Sequence, residues 1–302
     1  MTIMLIAILS SSTSHIIKKG DDKGKHGNSF LSKLYRIPML IFESIMTSFM
    51  RMLMWFVDKD WWFKGPFRRI FPWFLGTGVI KILYAGEVYT TEETVAILEN
   101  MLKKTEEKGK ELHVSLTPCV CRAATNNWSD EMPNMTCMHF GRNAIGFDKV
   151  DKYTILISPE TAIQLVKEYA FKWPFVHTLF GFCPSSPEYF NKEIALCFCH
   201  HHCATIRCEI KRGKNGLHPI KKADHLAVIS NDLCDNCAIC YDKCPFFAII
   251  KLKDNKLEVN HDICFGCGVC TRFCPNDAIK LIDRPESESH FIRKEVLKLK
   301  SY

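Results

Sequence analysis

The chain has 302 residues, 47% of them apolar and 24% charged, with a formal net charge of +7. That length allows two modest domains with real cores, and that balance excludes wholesale disorder. The mild basic excess fits an anionic lipid surface or an acidic protein partner, but no basic stripe interleaves with aromatics, so nucleic acid is not an expected partner.

Residues 1–84 read as an attachment segment. The opening run MTIMLIAILSSSTS is apolar but short, without a basic start or an A-x-A site, and reads as a packed or fraying terminus, with a signal segment as the alternative. Residues 30–84 are rich in Met, Phe and Trp. Placed on a helix, Lys33, Arg36, Glu43, Ser44, Thr47, Ser48, Arg51 and Asp58 share one face and the remainder is apolar. Glu43 and Arg51 interrupt any 20-residue apolar span, so a membrane-crossing helix is not expected. The stretch DKDWWFKGPFRRIFPWF sets paired aromatics beside basic residues, a composition that suits a membrane interface. Docking on protein, either the chain's own core or a larger complex, and contact with the inner face of a membrane both remain open.

Residues 85–222 read as an α/β cysteine-rich domain. TTEETVAILENMLKKTEEKG has a Thr cap, acidic residues in its first turn, apolar Val95, Leu98 and Leu102, and a terminating Gly109, which together predict a helix. ELHVSLTP alternates like a strand. KYTILISPETAIQLVKEYA reads as a strand, a Ser158 cap, Pro159 at the first helical position, and a helix. GTGVIKILYAGEVY lacks the glycine spacing of a nucleotide loop.

Sixteen cysteines sit largely in CxC and CxxC clusters, which suits metal ligation in a reducing, cytoplasmic compartment better than disulfides. In the middle domain, TPCVCRAATNNWSDEMPNMTCMHFG holds Cys119, Cys121 and Cys137. IALCFCHHHCATIRC holds Cys197, Cys199 and Cys203, with His200 and His202 placed to ligate or to hydrogen-bond sulfur. The CxC pairs are expected on loops at element ends. Thiolates so close repel one another unless a cation neutralises them, so these six cysteines are expected to bind metal. An iron–sulfur cluster and a structural zinc both fit such a set, and reduced, unligated thiols are the third reading. CFCH has one residue between its cysteines, which excludes the CxxCH haem motif. Cys183 and Cys208 read as packed core thiols.

Residues 223–283 carry the clearest signal. CDNCAICYDKCP from Cys234 and CFGCGVCTRFCP from Cys264 are both C-x2-C-x2-C-x3-C-P, an internal duplication that also repeats Asp232/Asp262, Ala248/Ala278 and Ile249/Ile279. Three closely spaced cysteines wrap one cubane and the fourth reaches the other. Cys234, Cys237, Cys240 and Cys274 are therefore expected to hold one [4Fe-4S] cluster, and Cys264, Cys267, Cys270 and Cys244 the second. AIIKLKDNKLEVNHD between them predicts two short strands around a KDNK turn, and Gly266 and Gly268 leave room for backbone amides near sulfur.

This stretch resembles the bacterial two-cluster ferredoxins over about residues 225–283. A wider resemblance spans about residues 110–283. The order PCVCR, then a proline four residues before CMHFG, then C-x-C-x3-C ahead of the two-cluster part is similar to a family of poorly characterised iron–sulfur proteins. Asp130 stands where that pattern has a cysteine, and His200, His202 and Ala204 replace others. The resemblance implies at least one further iron–sulfur cluster in the middle domain, with zinc as the alternative.

The expected architecture is α+β: an amphipathic helical segment, the cysteine-rich α/β domain, a two-[4Fe-4S] ferredoxin-like domain and a tail over 284–302. The expected function is electron relay as a component of an oxidoreductase complex. An oxidoreductase with a substrate-binding middle cluster and a scaffold with structural zinc are the alternatives. No flavin or nicotinamide motif is present, so a redox partner protein is expected to exchange the electrons.

Overall fold

The computed structural model describes residues 86–150, 153–180, 194–213 and 220–285, with Ser48, Arg51, Met52 and Trp55 of the amino-terminal segment. The amphipathic face expected before residue 85, the tail after 285 and Cys183 lie outside those residues, apart from the four named. Of these four, Arg51 donates from Nε to the Ala124 carbonyl at 3.1 Å, a contact with the middle domain. Among the described residues, no helix is long and apolar enough to cross a membrane.

Seven strands form the middle sheet: β1 (Gly86–Tyr89), β2 (Val114–Pro118), β3 (Met135–Phe140), β4 (Ile155–Ile157), β5 (Val176–Phe180), β6 (Ala195–Cys199) and β7 (Ile220–Lys221), in the order β4-β2-β3-β6-β5-β1-β7. Helices α1 (Thr91–Glu106), α2 (Val120–Thr125), α3 (Arg142–Val150), α4 (Pro159–Lys172) and α5 (Ala204–Gly213) alternate with the strands. The alternation does not produce a parallel sheet: every pairing is antiparallel except β1 with β7. Helix α2 is only six residues long, and the chain after it turns straight back to pair β3 with β2.

Local chemistry sets the helix starts. Thr90 accepts from the Glu93 amide while the Glu93 carboxylate accepts from the Thr90 amide, closing a capping box at α1. Ser158 accepts from the Thr161 amide at 3.1 Å and Pro159 opens α4.

Strand alternation then divides the sheet into two faces. Tyr89, Leu116, Met138, Leu179, Leu196 and Phe198 pack against Ile97, Leu98 and Met101 of α1 and Leu165, Val166 and Tyr169 of α4. Each such burial contributes about 1.5–3 kcal/mol. The opposite face presents Val88, Cys137, Val176, Phe180, Ala195 and Cys199, and its apolar cluster continues into Phe246, Phe265, Cys267 and Val269 of the carboxyl unit.

That unit pairs β8 (His225–Ile229) with β11 (Ile279–Asp283) and β9 (Ile249–Lys251) with β10 (Leu257–Val259), both antiparallel, with short helices α6 (Ile239–Lys243) and α7 (Val269–Arg272) between them. The turn between β9 and β10 closes through the Leu252 amide to the Lys256 carbonyl at 2.8 Å, with Asn255 at φ 63°. Polar side chains join the unit to the middle domain. Arg272 donates to Thr91 Oγ1 at 2.5 Å and to the Phe175 carbonyl at 2.8 Å, and His225 Nε2 lies 3.3 Å from Glu93 Oε1.

Candidate metal centres

In the carboxyl unit, each trio of cysteines curls around a short helix that begins with a left-handed residue, Ala238 at φ 61° before α6 and Gly268 at φ 72° before α7. Cys234, Cys237 and Cys274 are the thiols whose charges bear on Cys240; Cys244 and Cys264 bear on Cys267. The fourth cysteine of each motif thus lies with the trio of the other. Cys270 also feels Cys240, so the two groups of four are neighbours. Burial pushes Cys240 up to about 11 and Cys267 up to about 12.

The duplication extends to hydrogen bonding. The Ala248 amide donates to Cys244 Sγ at 3.3 Å and the Ala278 amide to Cys274 Sγ at 3.3 Å; the Gly266 amide donates to Cys264 Sγ at 3.4 Å. Such donors offset thiolate charge, and Cys244, Cys264, Cys267 and Cys270 line an apolar cavity with Ala227, Ile249 and Val259. Two groups of four sulfurs with amide donors, the inner group within apolar walls, fit two cubane clusters.

The two halves differ in what surrounds them. Asp235, Asn236 and Asp242 of the first repeat stand where the second has Phe265, Gly266 and Arg272; Phe246, which follows Cys244 in the inner group, corresponds to Asn276, which follows Cys274 in the outer one. Cys237 is exposed, as are Leu233, Ile239 and Tyr241 beside it. Cys264, Cys267 and Cys270 are buried, and Phe246 stacks on Phe265 at 4.1 Å against the middle domain.

The middle domain brings all six of its predicted cysteines together. Cys137 and Cys197 are register partners on β3 and β6, with sulfurs 3.5 Å apart. Cys119 Sγ and Cys203 Sγ lie 3.9 Å apart. Thiol interactions also join Cys119 to Cys121 and Cys137, Cys197 to Cys199, and Cys199 to Cys203. The contacts close a circuit through Cys119, Cys137, Cys197, Cys199 and Cys203, with Cys121 attached. Cys119 is the N-cap of α2, but Cys137, Cys197 and Cys199 lie within strands rather than on loops. The reason is the two-residue period: in a strand, C-x-C sends both sulfurs to one face and Phe198 to the other. Cys208 lies on α5. Asp130, which occupies the position of a cysteine in the resembling pattern, is exposed.

Electrostatics in this nest are those of crowded thiols short of positive charge. Contacts from Cys119 and Cys197 hold Cys137 well below the ordinary thiol range, while Cys203 is pushed up to about 12 by its Cys119 neighbour and by burial. The fully buried Arg122 answers them. Nη1 donates to the Pro133 carbonyl at 2.9 Å and to Asn134 Oδ1 at 3.1 Å, and the guanidinium lies 5.9 Å from the Phe175 ring centre. Nε and Nη2 find no nitrogen or oxygen acceptor among the described residues, nor does Thr178 Oγ1, whose residue on β5 pairs with Cys197; the guanidinium lies against Cys203 and the hydroxyl against Cys199. Burial acts to lower the guanidinium, yet the charges of Cys203 and Cys119 outweigh it and raise the group above its ordinary value. Buried donors without acceptors cost about 1–3 kcal/mol each. Six convergent sulfurs beside such donors fit an anionic metal–thiolate group.

His200, His201 and His202 gather their ring nitrogens within 4.8 Å of one another. Burial first, then His201 and His202, lower His200 to about 3. Arg122 and Lys243 act on the same side, and a neutral imidazole can ligate a metal or hydrogen-bond to sulfur. Sequence patterns did not single out Thr178, Arg272 or the Phe246–Phe265 stack, and they placed Arg122 only within the PCVCR motif, with no role assigned to it. An arginine directly after C-x-C was the one available signal.

A family model for a 4Fe-4S dicluster domain matches residues 227–281. No curated protein matches the chain. The carboxyl part is therefore a ferredoxin-like iron–sulfur domain, and its presence points to electron transfer.

Proposed function

We propose that the chain relays single electrons between a redox partner protein and a third metal centre held by Cys119, Cys121, Cys137, Cys197, Cys199 and Cys203. The dicluster would be held by Cys234, Cys237, Cys240 and Cys274 on the outer side and by Cys264, Cys267, Cys270 and Cys244 on the inner side. The observation that carries this reading is that the six-sulfur nest and the inner cysteines share one apolar cluster, with Cys137, Cys199 and Cys203 packed in the same body as Cys267, Phe246 and Phe265. Iron–sulfur clusters supply one-electron acceptance at potentials set by charge, hydrogen bonds and exposure. The chain supplies the remainder. Strands β3 and β6 fix sulfur positions, Phe246 and Phe265 exclude water between the inner cysteines and the nest, and exposed Cys237, Leu233 and Tyr241 offer the partner its closest approach.

Full-length protein purified without oxygen should contain about twelve iron atoms, about eight from the dicluster and about four from the nest, with matching acid-labile sulfide. About eight iron atoms with one zinc would favour the scaffold reading. About eight iron atoms and no other metal would leave the dicluster alone.

A further inference from the structure

We propose that Arg122 is the counter-charge that sets the potential of the middle-domain centre, and that its free N–H groups face the metal-bound sulfurs. This rests on the reading that the nest holds an iron–sulfur cluster.

The arrangement of the guanidinium carries the argument. One nitrogen is anchored: Nη1 is held by the Pro133 carbonyl at 2.9 Å and Asn134 Oδ1 at 3.1 Å. Asn134 is itself fixed, since its Oδ1 accepts from the Ser129 amide at 3.1 Å and its Nδ2 donates to the Ser129 carbonyl at 2.9 Å. Phe175 closes one side of the guanidinium. The remaining donors, Nε and Nη2, find no nitrogen or oxygen acceptor among the described residues although the residue has no exposed surface, and the guanidinium lies against the Cys203 sulfur. A buried arginine of this kind is placed against negative charge, and no carboxylate is among the strongest influences on it. The groups that lie against it are the sulfurs of Cys203, Cys119 and Cys137, which a bound metal would hold as thiolates. The nest also explains why arginine rather than lysine stands here. A planar fork can hold the Pro133–Asn134 turn with one nitrogen and point the others at sulfur, and a single ammonium cannot do both.

A cluster bound by thiolates is anionic and gains one more negative charge on reduction. A fixed cation beside it favours the reduced form and raises the midpoint potential. Hydrogen bonds to sulfur act in the same direction. Arg122 thus acts on the electron-accepting tendency of this centre and not on that of the dicluster.

The test is redox titration of the full chain followed by EPR. In Arg122→Gln the midpoint of the third signal should move to more negative potential, with both dicluster midpoints unchanged. Arg122→Lys, which keeps the charge but loses the fork, should lie between the two. If Arg122→Gln loses the third signal altogether, Asn134→Asp provides the second measurement. A carboxylate 3.1 Å from Nη1 would offset the guanidinium charge and move the midpoint in the same negative direction with Arg122 in place. Wild type with no third signal would remove the cluster reading and this proposal together. A third signal whose midpoint is the same in wild type, Arg122→Gln and Asn134→Asp would overturn the role of Arg122 alone, leaving it as an anchor for the Pro133–Asn134 turn.

Discussion

Cys137 on β3 and Cys197 on β6 face each other across the sheet with their sulfurs 3.5 Å apart. The pair comes from segments 60 residues apart in sequence, and the hydrogen-bonded ladder, not a flexible loop, holds it. A metal bound here would therefore meet a preformed site. Replacing Cys197 and Cys199 by Ser should remove the iron assigned to the nest, about four atoms per chain, while both dicluster EPR signals persist. The sheet should survive, because Phe198 keeps its place in the core on the other face. Iron, sulfide and zinc contents all equal to wild type would show that these sulfurs are not ligands.

Gly266 and Gly109 make a matched comparison. Both have positive φ, +65° and +62°. A side chain at Gly109 meets open space, so Gly109→Ala should cost only the conformational penalty, about 1–2 kcal/mol. A Cβ at Gly266 would collide with the His225 carbonyl, which lies on the strand that pairs with β11. The Gly266 amide also donates to Cys264 Sγ. Gly266→Ala should therefore destabilise the protein well beyond Gly109→Ala and lower iron content toward the loss of one cluster. Equal denaturant midpoints for the two variants would contradict the close packing of this loop on β8.

His139 gives a pH dependence with a definite sign. It is buried, lies 3.3 Å from Thr117 Oγ1 and stacks on Phe147. Burial lowers it to about 4, with Cys137 acting in the opposite direction. The unfolded chain then binds the proton first, near pH 6.5, so stability is complete above about 6.5 and is lost as pH falls through about 4. The full difference is about 3 kcal/mol at 1.36 kcal/mol per pH unit. His139→Gln retains a polar partner for Thr117 but does not titrate. Its urea midpoint should fall less than that of wild type between pH 7.5 and pH 5, and identical falls would assign the acid sensitivity to other groups.

The carboxyl unit was the part most readable in the sequence, because a cubane dictates cysteine spacing locally and the duplication repeats that spacing at a fixed offset. Capping at Thr90 and Ser158 was legible for the same reason, since a cap is decided within four residues. The convergence of Cys119, Cys137 and Cys197 was expected from thiol chemistry, but its geometry was not, since sheet order joins β3 to β6 across a long separation. The alternation in ALCFC already contained the answer to whether Cys197 and Cys199 sit on a strand. The pairing of Arg122 with the nest was only hinted at by its place directly after C-x-C, since that position does not by itself distinguish a buried guanidinium from an exposed one. The inward orientation of the second repeat was written in Phe246, Phe265 and Arg272, but it is read only once the middle sheet supplies a surface for them.

Arg272 fixes that orientation. It stands where the first repeat has Asp242, and from the end of α7 it reaches Thr91 Oγ1 and the Phe175 carbonyl, both in the middle domain. Burial lowers its guanidinium and the thiolate of Cys267 acts in the opposite direction, so the residue lies close to the inner cysteines as well. Arg272→Met preserves much of the apolar stem but leaves the Phe175 carbonyl and the Thr91 hydroxyl without these donors. The loss should be about 2–4 kcal/mol, measured as a shift in denaturant midpoint. Because neither contact is to a cysteine, both dicluster signals should remain at full intensity at low denaturant. If the nest holds the proposed iron–sulfur cluster, electron exchange between it and the inner cluster should slow, since the apolar contact that joins the two sites depends on this docking. Unchanged stability together with unchanged exchange would mean that packing of Phe246 and Phe265 holds the two domains together without the arginine.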